Sequence, residues 1–169
     1  MQLIRCTQKL LKEINKKPTT NVEPIRSIMG SWHANLLRIE RRKCVLITND
    51  STLYTLFIPC LRKPDFQNFH LVFGQHLFKN LLHEGFSQTQ IEAVLEEHEQ
   101  IFYDETNNRS VLGSMNDQKV QLEWRIYLNG GLEETSLYEL NKELNRNILS
   151  AIEKHYPIEM LKDKLKNIT

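Results

Sequence analysis

The segment from Ser31 to Asp50, SWHANLLRIERRKCVLITND, holds two β-compatible runs on either side of the charged group Glu40-Arg41-Arg42-Lys43. Trp32 to Ile39 and Lys43 to Thr48 are rich in β-branched, aromatic and other apolar side chains, so they predict two antiparallel strands joined at Glu40 to Arg42. The joint has neither Gly nor Asn, which leaves its turn type and register open. A hairpin here concentrates Arg38, Arg41, Arg42 and Lys43 around one projecting turn.

Other strands and helices follow from local pattern. Gln2 to Cys6 reads as a strand and Thr7 as the N-cap of a helix carrying Leu10, Leu11 and Ile14. Asn15 to Pro24 reads as a loop. The Asn49-Asp50-Ser51 turn signal precedes a strand from Thr52 to Ile58, which Pro59 stops. Phe66, Phe69, Phe73, Leu77 and Leu81 recur at helical steps, with Gly85 as the C′ residue. Ser87 and Gln90 form a capping box for a helix facing inward through Ile91, Val94, Leu95 and His98. Ile101 to Tyr103 predicts a further strand, and Thr106-Asn107-Asn108 offers caps for a helix from about Ser110.

Residues 120–128 place apolar side chains at every even position, a strand period, yet Val111, Met115, Leu122 and Ile126 share one helical face and Gly130-Gly131 can end a helix. Helix is the preferred reading. A helix from about Ser136 to Ser150 and another opened by Pro157 complete the chain. The expected fold is a single α+β domain over residues 1–169, a small mainly antiparallel sheet from the N-terminal half packed by helices from the C-terminal half.

Of 22 Lys and Arg and 21 Asp and Glu, residues 1–63 hold 12 and 4, so the near-neutral total conceals a basic first third. Such asymmetry suits a polyanionic partner or two segments that face each other. Cys6, Cys44 and Cys60 are odd in number and widely spaced, which argues against a disulfide framework or a cysteine-based zinc site and fits a reducing cytoplasm. The first fifteen residues lack the apolar run of a signal peptide, and no stretch approaches a membrane span.

Chemistry-bearing candidates are few. His33 and Asn35 alternate with Trp32 and Ala34, so on a strand they emerge side by side. Asp50 at a strand end, with Asn116 and Asp117 in a polar stretch, could join His33 if folding gathers them, as a histidine base needs an orienting carboxylate. The same residues serve equally as turn, cap and hydrogen-bonding groups, and that structural reading is the stronger. His76 and His83 lie seven residues apart, about 10.5 Å along a helix, too far to share an ion. No Walker loop, dinucleotide fingerprint, zinc-protease or serine-hydrolase motif occurs, so no cofactor or metal is expected.

Four motifs are familiar: Ile4-Arg5-Cys6-Thr7 continuing through Lys9-Leu10-Leu11, then W-H-A-N-L from Trp32, R-R-K-C-V-L-x-T-N-D from Arg41, and N-R-S-V-L-G-S-M-N-D from Asn108. The chain resembles a bacterial family known only as a domain of unknown function. That resemblance implies no activity, cofactor or partner. The residues therefore carry the functional expectation: a noncatalytic cytoplasmic binding or regulatory module contacting nucleic acid or an acidic protein surface through Arg38, Arg41, Arg42 and Lys43. The alternative is a small hydrolase or nuclease using His33 with Asp50 or Asp117.

Overall fold

The computed structural model describes residues 1–19, 26–152 and 155–169. Five strands, β1 (Gln2–Cys6), β2 (Trp32–Ile39), β3 (Arg42–Asn49), β4 (Thr55–Ile58) and β5 (Ile101–Glu105), form one sheet in the order β4-β3-β2-β1-β5. The expected hairpin is present: β2 and β3 run antiparallel from Trp32 opposite Asn49 to Ile39 opposite Arg42. β4 continues the antiparallel ladder, while β1 lies parallel to both β2 and β5. The sheet is thus mixed, with its longest ladder antiparallel. β5 enters it from beyond residue 100, so the sheet is not drawn from the N-terminal half alone.

Helices cover both faces. On one, Ile4, Trp32, Ile47 and Leu56 pack against α1 (Gln8–Ile14), α2 (Lys63–Gln67), α3 (Phe69–His83), α4 (Gln88–Glu96) and α7 (Pro157–Leu165). On the other, Leu37, Leu46 and Phe57 pack against α5 (Arg109–Leu128) and α6 (Leu137–Leu144). Two covered faces explain why β3 and β4 read as nearly unbroken apolar runs rather than alternating ones.

Residues 120–128 are helical, and Gly130 takes the positive φ that ends α5. The Ser87–Gln90 capping box and the Asn108 cap form as expected, Asn108 accepting from the Ser110 and Val111 amides. Thr7 occupies the N-cap position of α1, but its hydroxyl donates to Asn35 Oδ1 at 3.2 Å instead of capping.

Three expected elements are shorter. The strand expected from Thr52 begins at Thr55, because residues 50–54 wrap around Asn49, whose Oδ1 accepts from the Ser51 and Thr52 amides. The aromatic helix is interrupted at Asn68, whose φ of −114° and ψ of 35° separate α2 from α3. The helix expected to reach Ser150 stops at Leu144, since the Asn145 carbonyl accepts from the Ile158 amide at 3.1 Å and is lost to a continuing helical ladder. The linker-like Asn15 to Pro24 stretch falls partly outside the described residues, with 15–19 non-helical.

Candidate functional site

The β2–β3 connection is a two-residue turn in which Glu40 and Arg41 take φ of 49° and 65°. Both lie in the left-handed region that a type I′ hairpin requires, where Gly or Asn usually sits. The turn is held from outside the hairpin through Glu40. Glu40 Oε1 accepts from the Leu132 amide at 2.9 Å, and a Cβ added to Gly131 would meet that same oxygen at 2.9 Å. The expected projecting turn is therefore a docked one, tied to the loop after α5.

Docking sorts the hairpin's cations into paired and unpaired. Lys43 Nζ binds Glu13 at 2.6 Å and lies 6.0 Å from the Phe66 ring centroid. Arg42 pairs with Glu133 and donates more weakly to the Cys60 thiol; the Glu133 bond above all raises the guanidinium pKa beyond its ordinary range. Arg38 and Arg41 are exposed and have no ion-pair partner among the described residues.

Around this tip lies a cleft of about 600 Å³ lined by Arg38, Arg41, Arg42, Lys43, Cys60, Leu61, Arg62 and Glu133. Five cations face a single carboxylate. Arg62, exposed and likewise without an ion-pair partner among the described residues, was not among the sequence candidates. It arrives because the chain leaves β4 at Pro59 and turns back along the hairpin, the Leu61 amide donating to the Lys43 carbonyl at 2.8 Å. The signal available in sequence was Arg62-Lys63 just after the strand-stopping proline. Within the hairpin, Arg38 stands directly opposite Lys43. Like charges in opposed positions destabilise a sheet, so their retention concentrates positive potential at a cost in stability.

The polar candidates separate into two places. His33 is fully buried on the sheet face that packs α5, and its Nδ1 lies 2.6 Å from Asp50 Oδ1. The Asn107 amide donates to Nε2 at 3.4 Å, so Nε2 is the acceptor and Nδ1 carries the proton to Asp50. Both ring nitrogens are occupied. Asn35 accepts from Thr7, whereas Asn116 and Asp117 lie exposed on α5, whose neighbouring Met115 and Gln118 are buried. Burial pushes the Cys6 thiol well above its ordinary pKa and raises that of Cys44 as well, which makes both poor nucleophiles. Among the described residues no three His, Cys, Asp or Glu side chains are grouped to hold a metal ion, and no helix is long and apolar enough to cross a membrane.

Residues 3–160 match the family described as Domain of unknown function (DUF6933). The chain belongs to that family. Neither the curated proteins nor the solved structures contain a match to it. With no activity attached to the family description, the chemistry of the cleft carries the functional argument.

Proposed function

We propose that this chain is a noncatalytic cytoplasmic binding module that takes the phosphate backbone of nucleic acid in the basic cleft around the β2–β3 hairpin. The observation that carries this reading is the convergence of Arg38, Arg41 and Arg62, three guanidinium groups without ion-pair partners among the described residues, on a concave surface with one carboxylate. Guanidinium forks pair bidentately with phosphate oxygens and release counterions, so such a cleft gains affinity at low salt. The occupied, buried imidazole of His33 supports a binding role over a hydrolytic one, since a general base needs a lone pair within reach of substrate.

Fluorescence anisotropy of labelled oligonucleotides at low salt tests this. Wild-type protein is expected to bind, with affinity falling steeply as salt rises. Arg41→Glu with Arg62→Glu should abolish binding and leave the melting temperature nearly unchanged, because neither side chain holds another element in place. Arg42 is a poorer choice, since its reversal also strands Glu133. Absence of wild-type binding to any nucleic acid at low salt, or full binding by the double variant, would sink the reading.

A further inference from the structure

The even-numbered apolar positions that gave 120–128 its strand-like period divide into two sets on α5. Leu122 and Ile126 face the core, while Val120, Trp124 and Leu128 point outward and are exposed, together with Tyr127. Trp124 is 57% exposed and Tyr127 74%, unusual values for large aromatics with no packing duty. Their rings stack on each other, centroids 5.8 Å apart and planes at 25°, which leaves an outer π-face open to solvent.

Tyr127 links this platform to the basic cleft through a neighbouring cleft. A second cleft of about 520 Å³ lies between the hairpin and the end of α5, lined by Arg38, Ile39, Glu40, Glu123, Ile126, Tyr127, Gly130 and Gly131. Arg38 borders both clefts. The carboxylates of the second cleft are already engaged: Glu40 accepts from the Leu132 amide, and Glu123 faces Lys119 at 3.8 Å. Arg62, Arg41 and Arg38 thus lead from the basic cleft to Tyr127, on which Trp124 stacks.

We infer that the preferred ligand is single-stranded nucleic acid, its phosphates in the arginine cleft and an unpaired base stacked on the Trp124–Tyr127 platform. This rests on the basic cleft being the anion site. Cationic grooves beside exposed aromatics are how proteins hold single strands, since every unpaired base offers a π-face that a duplex keeps buried in its own stack. The platform is apolar and aromatic where a site for phosphate alone needs only charge, which is what distinguishes this ligand from a bare polyanion or an acidic protein surface.

The test compares a single-stranded oligonucleotide, its duplex, inorganic polyphosphate and polyglutamate as ligands of wild type, Trp124→Ala with Tyr127→Ala, and Arg41→Glu with Arg62→Glu. The chain has two tryptophans and Trp32 is fully buried, so quenching of the exposed Trp124 reports stacking directly. The expected result is that wild type prefers the single strand, which quenches Trp124, whereas polyphosphate does not. Loss of the aromatic pair should weaken the single strand about tenfold or more and leave polyphosphate binding unchanged, while the arginine variant loses both. Single-strand binding unaffected by the aromatic variant would overturn this inference and leave the arginine cleft standing. Failure of all four ligands on wild type would overturn both. Polyglutamate binding as tight as the single strand, and equally dependent on Trp124 and Tyr127, would assign the surface to an acidic protein and overturn the single-strand reading.

Discussion

His33 belongs to a polar row that crosses the sheet, Thr55, Thr48, His33, Arg5 and Asp104 being opposed in successive strands. The row is satisfied internally: the two threonine hydroxyls bond at 2.9 Å, Arg5 pairs with Asp104 at 3.0 Å, and His33 is held from both sides by Asp50 and Asn107. Truncating the imidazole removes partners from Asp50 and from a backbone amide and leaves a buried hole. His33→Ala is therefore expected to lose about 1–3 kcal/mol of stability in urea unfolding, while oligonucleotide affinity stays unchanged because the arginine cleft is untouched. A stable variant with altered binding would place His33 in the site after all. Strand alternation placed His33 beside Asn35, and its pairing with Asp50 was legible in the sequence only as one that folding could bring about. Its purpose was not, because whether an imidazole has a free lone pair depends on Asn107, 74 residues away.

At the scale of elements, α6 does more than cover an apolar face. β4 is an edge strand, and its outward backbone groups would otherwise invite another chain to pair. Asn141 and Asn145, one helical turn apart, fill that role with their amides. Asn145 accepts from the Thr55 amide at 2.7 Å and donates to the Thr55 carbonyl at 2.7 Å; Asn141 does the same for Phe57 at 2.7 and 3.3 Å. Asn141 is buried inside α6, where asparagine has weak helix propensity, and Asn145 is the buried C-cap residue; the edge they close explains the presence of both. Asn141→Leu with Asn145→Leu should cost about 2–4 kcal/mol in urea unfolding through four unpaired backbone groups, and light scattering should show concentration-dependent association through β4. A monodisperse, fully stable variant would refute this account of the edge. The elements themselves were legible from local periodicity and capping residues, whereas this closure was not, since it joins residues 84 and 90 positions apart.

For the whole molecule, acid is the condition that burial makes costly. His98 packs on Phe73 with ring centroids 4.9 Å apart, donates from Nδ1 to the Val94 carbonyl at 3.1 Å, and keeps a buried Nε2 without a hydrogen-bond partner. Burial is the main cause that lowers its pKa from 6.5 to about 4, and burial lowers His76 in the same direction. Between those values the unfolded chain binds a proton that folded His98 does not, so stability is complete above the unfolded pKa and falls as pH drops through the window. The loss attributable to His98 should reach at most about 3 kcal/mol and level off below the folded pKa. Urea unfolding from pH 7 to pH 4 should show that slope in wild type and a flatter one in His98→Leu; equal slopes would exonerate His98. What the sequence determined by itself was local: the hairpin strands, a preference for helix over strand at 120–128, the Ser87–Gln90 capping box and the basic first third, because helix and strand periods and capping chemistry act between residues a few positions apart. Only the tertiary structure decided which charges remain unpaired. Glu13 and Glu133 neutralise Lys43 and Arg42 while Arg62 joins Arg38 and Arg41, and Tyr127 comes to lie across a cleft from the hairpin. Those meetings depend on the path of the chain around the sheet, and electrostatics and stacking act through space, without regard to separation along the sequence.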